Sequence, residues 1–329
     1  MSVVSGVRFF GFLLLASFCG LCGAASLTED LLRAKTQGLV LYGQYKYISA
    51  QPYLRVAAQA GDREAQYYLG ESISAQKRYV TDEAHKWYVA AADQGDYYAM
   101  YRLASRKNNL CEVMDNCPSD SRSPEEWYQL ARRTTEKLAL QGDGEAMYVR
   151  AMLGGDISWL ERSVASGYPE AQYRMAIMYK EGAKFYFPPW KKGKEIEGLL
   201  KSAAESGHVR AMDYYIEILQ ERGDIAEARK LLEAAALRGD ANAVGAYGVY
   251  TSHTPDGMGF ALDLVKGYGL VLTLRELDGG GGMQVYVEDK LKEIGEKMTG
   301  EQIKEASIFA EKWKLSHPPL SFFQQKLSF

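Results

Sequence analysis

Few residues in this chain have the types and spacing that chemistry requires. The four histidines, His85, His208, His253 and His317, are scattered, and none stands at a ligand spacing from another, which argues against a zinc site. Ser74-Ala75-Gln76-Lys77 matches the S-x-x-K spacing of serine acyl enzymes, but no S-D-N or K-T-G element accompanies it. Gly279 to Gly282 lacks the lysine and Ser/Thr of a phosphate loop and reads as a linker. Glu125-Glu126 sits at a helix start, where carboxylates favour the helix dipole. These residues assemble no catalytic set. The expectation is a chain that is not an enzyme and carries no cofactor and no metal.

The first 25 residues read as a secretory leader. Arg8 supplies the positive charge, Phe9 to Phe18 a short apolar run, and Gly23-Ala24-Ala25 small residues for cleavage. The run is too short for a permanent membrane span, so export to the periplasm is expected, without stable membrane insertion of the mature chain. Cys19 and Cys22 follow the bulky Phe18 and Leu21, which argues against lipidation. Once the leader is removed only Cys111 and Cys117 remain, within a hydrophilic insertion from Asn108 to Ser123. In an oxidising compartment a short-loop disulfide is the natural reading; the alternative is two free thiols. The net charge of −3 over 329 residues offers little pull on phosphates and argues against nucleic-acid binding.

The elements that carry these residues follow from a repeat. Gly61, Gly95, Gly142, Gly167, Gly207 and Gly239 each have an alanine four positions on: Ala65, Ala99, Ala146, Ala171, Ala211 and Ala243. In four of the six a tyrosine follows two residues later (Tyr67, Tyr101, Tyr148 and Tyr173). A glycine can take the left-handed backbone that ends a helix, and alanine lets the next helix approach a neighbour closely. The pattern therefore predicts stacked helical hairpins that share one apolar seam, supplied by a 47% apolar composition. The junctions are 34, 47, 25, 40 and 32 residues apart, so the array is irregular.

Along the chain, residues 26–56 read as a leading helical segment broken at Gln51-Pro52, with Tyr42, Tyr45 and Tyr47 capping the first hairpin. Thr81 or Asp82 caps the helix that carries Trp87-Tyr88 and Ala91-Ala92. Gly154-Gly155-Asp156 leaves almost no loop before a short helix around Ile157 to Ala165. Phe260 to Leu277 reads as a helix despite Gly267 and Gly269. Thr299 and Gln302 fit a capping box, and Ile303, Ala306, Phe309, Ala310 and Trp313 form one stripe of a closing helix before Pro318-Pro319.

The run Val80-Thr81-Asp82, Trp87-Tyr88, Ala91-Ala92-Asp93-Gln94-Gly95-Asp96 resembles the second helix of a Sel-one-like repeat. Ala65-Gln66-Tyr67-Tyr68-Leu69-Gly70 resembles the first. That family is a branch of the tetratricopeptide-type α-solenoids. The resemblance covers roughly residues 52–250 plus the closing helix, and implies an all-α, right-handed α-solenoid of helix-turn-helix repeats. The expected organisation is a leader over 1–25 and a single solenoid domain over 26–329, with irregular C-terminal helices over about 258–315.

With Ala171, Met175, Ala176 and Tyr179 turned toward neighbouring helices, helical geometry turns Glu170, Arg174 and Ile177 the other way. The equivalent rows give Glu64, Tyr68 and Glu71, then Tyr98 and Arg102, then Arg210 and Tyr214. Tyrosine and arginine are common at binding hot spots, so these residues, with Arg174, are the candidate partner contacts. The aromatic loop Phe185, Tyr186, Phe187 and Trp190 joins them. The alternative for Glu170 and Arg174 is an intrahelical ion pair, and for several tyrosines a place in the core. The resemblance implies an adaptor or scaffold. Some exported bacterial members are immunity proteins that neutralise type VI secretion phospholipase effectors in the periplasm, and such a toxin is the leading expectation for the partner. The other expectations are a periplasmic scaffold for envelope or exopolysaccharide assembly and, further off, a β-lactam-binding enzyme.

Overall fold

A computed structural model describes residues 28–77, 79–105, 110–183, 191–277 and 283–327. Within them the chain is all-α. The helices are α1 (Glu29–Gly43), α2 (Tyr47–Gln59), α3 (Arg63–Lys77), α4 (Asp82–Asp93), α5 (Tyr97–Ala104), α6 (Leu110–Val113), α7 (Pro124–Leu140), α8 (Gly144–Gly154) and α9 (Ile157–Ala165). They continue as α10 (Pro169–Lys180), α11 (Lys191–Glu205), α12 (Val209–Arg222), α13 (Ile225–Leu237), α14 (Ala241–Thr251), α15 (Leu264–Thr273), α16 (Met283–Gly295) and α17 (Gly300–Ser316). The short α6 aside, each helix from α1 to α15 packs on its neighbours in sequence, which is the connectivity of an α-solenoid.

The six junction glycines all take the left-handed conformation, with φ between +83° and +95°. Each junction ends its helix with the same two backbone bonds. At the first, Gly61 N–H donates to the Ala58 carbonyl and Asp62 N–H to that of Ala57. The residue after the glycine then starts the next helix. Asp62, Asp96, Asp143, His208 and Asp240 each accept the N–H of the following junction alanine, at 2.6–3.1 Å. This satisfies a donor that the helix leaves open. At Gly167 the next residue is Tyr168, which gives no side-chain cap, and Pro169 opens the helix instead. All six alanines are buried, which leaves room only for close packing.

Burial runs the length of the array. One apolar cluster spans α2 to α10, a second spans α10 to α16, and Ile196 and Leu199 of α11 pack against both. At the far end, glycines permit backbone contact: a Cβ on Gly248 of α14 would lie 2.8 Å from the carbonyl oxygen of Gly267 of α15. A Cβ on Gly269 would lie 2.5 Å from the Phe309 ring of α17. The closing helix thus lies on α15, started by the Thr299–Gln302 capping box.

Two sequence expectations are corrected. Pro52 does not break the chain but lies inside α2; the first hairpin turns earlier, at Gln44 to Lys46, where Tyr45 has φ +61°. The segment Phe260 to Leu277 is helical only from Leu264, where Asp263 caps α15 by accepting the Lys266 N–H, and it tightens to a 3-10 turn at Leu274–Glu276.

After α17 the chain doubles back and runs across the array. Asp240 and Ser321 form an isolated parallel bridge, Ser321 N–H donates to the Gly239 carbonyl at 2.9 Å, and Phe322 N–H donates to that of Gly43 at 2.9 Å. The α1–α2 and α13–α14 turns therefore flank the same two residues. Gln44 of the first turn also donates to the Glu276 carboxylate and the Leu320 carbonyl, both at 3.1 Å. The array curls until its first hairpin meets its last third.

Candidate functional site

The inner face is built by α3, α5, α8 and α10, and the tail from Gln324 to Leu327 lies on it. Repeat geometry places the side chains. The third residue past a junction glycine is Glu64, Tyr98, Glu145 or Glu170 in these four helices, and three of the four touch the tail.

Glu71 and Arg102 join α3 to α5 through two 2.8 Å hydrogen bonds. Tyr88 of α4 donates a further 2.7 Å bond to Glu71. Burial alone would lower the pKa of the Arg102 guanidinium, but Glu71 beside it holds it well above its ordinary value. Burial, then the Glu71 charge, drives the Tyr67 and Tyr88 phenols upward, so both remain hydrogen-bond donors.

The Lys326 carbonyl accepts from the Tyr67 hydroxyl at 2.8 Å and from Arg102 at 3.2 Å. The Lys326 ammonium lies 3.8 Å from Glu145 and 4.8 Å from the Tyr98 ring centroid. Tyr98 in turn donates to Glu145 at 2.6 Å. Gln325 donates to Glu170 at 2.5 Å, and Glu170 is also 2.8 Å from His208. Gln324 accepts from Tyr47 at 2.8 Å and donates to the Tyr42 carbonyl at 2.7 Å. Leu327 is buried in the apolar cluster of α2 to α10. Beside these residues a cavity of about 310 Å³ is lined by Tyr68, Tyr98, Tyr148, Tyr168 and both glutamates.

The structure gathers four of the sequence-predicted contacts around the tail: Tyr68, Glu71, Tyr98 and Arg102. Tyr98, expected on the outward row, is instead buried in the apolar cluster of α2 to α10, with its hydroxyl on Glu145. Glu64 is bound instead to Lys35 of α1, at 2.8 Å. Arg174 lines a separate apolar cavity with Ala151, Ile157 and Met178. Arg210 is exposed at the start of α12, and Tyr214 packs on Tyr173 with Lys180 over its ring. Phe185, Tyr186, Phe187 and Trp190 lie outside the described residues, as do the leader and the Gly279–Gly282 segment. Sequence reasoning missed Tyr67, Glu145 and the tail. Glu145 was within reach, because it occupies in α8 the row that Glu64 and Glu170 occupy in α3 and α10.

Away from the tail, Cys111 and Cys117 are joined as a disulfide. The insertion they belong to is anchored by Asp120, whose carboxylate takes 2.8 Å and 2.7 Å contacts from His85 and Trp127. Burial would raise the Asp120 pKa, but the bonds from Arg122 N–H, Trp127 and His85 outweigh it and hold it below the ordinary range. The Ser74 hydroxyl lies 3.2 Å from the Tyr88 hydroxyl oxygen, whose own hydrogen goes to Glu71. Among the described residues no three His, Cys, Asp or Glu side chains form a group able to hold a metal ion, and no helix is long and apolar enough to cross a membrane.

No family model and no curated protein matches the chain. Among solved structures it is similar to a protective antigen with an SLR fold from uropathogenic Escherichia coli strains, at 19% identity and a TM-score of 0.47. That match covers 88% of this chain and 62% of the antigen, so the chain spans less than two thirds of its length. It is also similar to a Sel1 repeat protein from Oxalobacter formigenes, at 18% identity and a TM-score of 0.37, covering 74% of this chain and 96% of the other.

Proposed function

We propose that this chain is an exported protein-binding array whose inner face holds an extended segment of one dedicated partner. One observation carries the reading: a stretch of polypeptide is already seated there, with its backbone carbonyl at Lys326 read by Tyr67 and Arg102 and its side chain by Glu145. Such a seat, made of convergent tyrosines, an arginine and carboxylates on a rigid stack, suits recognition. Export is supported by the leader-like residues from Arg8 to Ala25 and by the disulfide of the insertion.

The partner we propose is a phospholipase toxin of a type VI secretion system, neutralised in the periplasm by occlusion of its active-site mouth or by being held inactive. This assignment rests on the Sel-one-like resemblance. The test is co-expression with a phospholipase toxin encoded beside the gene. Restored growth, a recovered complex and suppressed lipase activity are expected, with Arg102→Ala weakening the complex. Undiminished toxicity with no complex rejects the assignment.

A further inference from the structure

Resting on that reading and deepening it, we propose that the inner-face seat recognises an extended partner segment carrying a basic residue followed by an aliphatic one. Residues Gln324–Leu327 of this chain are its intramolecular competitor.

The subsites define the partner. Among the described residues that line the cavity, the two carboxylates, Glu145 and Glu170, come from the array, and the one cation, Lys326, comes from the tail. Withdrawing the tail takes the Lys326 ammonium away from Glu145, whereas Glu170 keeps His208 at 2.8 Å and Arg102 keeps Glu71. A cation must replace Lys326, and the Tyr98 ring adds a face on which an ammonium or guanidinium can lie. The next position must be apolar, since the tail buries Leu327 there. Between them, Tyr67 and Arg102 read a carbonyl oxygen that every polypeptide offers.

The resident tail fits this seat incompletely. The cavity of about 310 Å³ lies open beside it, so a competitor with larger flanking side chains gains contacts that the tail lacks. The tail also reaches the seat through a turn in which Phe323, an exposed side chain, takes φ +45°. Non-glycine residues avoid that conformation, and a separate segment has no need of it. Polar contacts hold Gln324 to Lys326 and one apolar side chain holds Leu327, an arrangement that a second polypeptide of like chemistry can displace.

The test uses the full chain and a fluorescent synthetic peptide of residues 320–327. Lys326→Glu with Leu327→Asp unseats the tail. This variant is expected to bind the peptide at least tenfold more tightly than the unaltered protein, and added salt weakens the binding. A peptide with glutamate in place of its lysine is expected to lose at least tenfold. A folded variant that does not bind, equal binding by both proteins, or tail exchange into dimers at the expense of peptide binding overturns the proposal. If the variant unfolds, hydrogen exchange on the unaltered protein decides: saturating peptide is expected to remove protection at Gln324 to Leu327, and unchanged protection overturns it. Toxin neutralised without peptide binding defeats this proposal and spares the function above. Peptide binding without neutralisation does the reverse.

Discussion

Glu71 and Arg102, 31 residues apart on successive inner helices, face each other in a bidentate ion pair with both bonds at 2.8 Å. Both side chains are mostly buried, at 11% and 23% exposure. Removing one partner from such a pair leaves an uncompensated charge. Glu71→Ala is therefore expected to destabilise the fold by about 3 kcal/mol and to release the Tyr88 hydroxyl, with Glu71→Gln costing less. Urea denaturation of the two variants checks the order; equal stabilities would show the pair to be solvated.

The junctions predict a second set of costs. Ala171 is fully buried in the apolar cluster of α2 to α10, so Ala171→Leu is expected to overpack the start of α10 and lose about 1–3 kcal/mol. Gly267→Ala puts its methyl 2.7 Å from the Gly248 carbonyl oxygen, where backbone has to move. Gly61→Ala meets nothing within 4 Å and suffers only from its φ of +92°, a penalty of about 1–2 kcal/mol. Thermal melts are expected to rank Gly267→Ala below Gly61→Ala. Tyr68→Ala, at a half-buried ring, is expected to lose less stability than Ala171→Leu and more peptide affinity.

How far the sequence reaches is visible in these same residues. The glycine and alanine positions specify local events, a helix end and a close approach, and both lie within five residues of chain. The register of each helix then carries Glu71, Tyr98 and Arg102 to one face. The occupant of that face does not follow from local rules. Lys326 meets Arg102 across 224 residues and Leu320 meets Gln44 across 276, and the stretch from Leu320 to Leu327, without helical period, gives no sign of where it docks. Pro52 misleads for the opposite reason: a strong local signal for a break is overridden by the packing of Leu54, Ala57 and Ala58 in the core.

Acid groups near the tail bridge set a pH dependence. Burial, then the neighbouring Asp240, raises Asp213 to about 7, against the pull of Arg210 and with a further push from Glu217. Burial raises Asp240 to about 6, although it caps the Ala243 N–H and feels Arg210. Both folded values exceed the ordinary 3.8, so the native state binds these protons more tightly than the unfolded chain does. Their stabilising contribution is fully present below about pH 4 and is lost as pH rises through 6 and 7. Asp213→Asn is expected to raise the melting temperature at pH 8 by roughly 2–4 °C and to flatten its change between pH 5 and 8. A slope that is unchanged assigns the titration elsewhere.

The insertion tests whether covalent or polar links hold it to the array. The disulfide closes only a short loop between Cys111 and Cys117, so its constraint, about 2 kcal/mol on loop-entropy grounds, acts on the insertion itself. Asp120 joins that insertion to α4 and α7 through His85 and Trp127, and its side chain is only 4% exposed. Exchanging both cysteines for serine is expected to speed proteolysis within the insertion and to leave the global melt nearly unchanged. Asp120→Asn is expected to lower global stability by about 2 kcal/mol, because two buried donors lose a charged acceptor. If the cysteine exchange instead unfolds the array, the covalent link rather than the Asp120 carboxylate is the anchor.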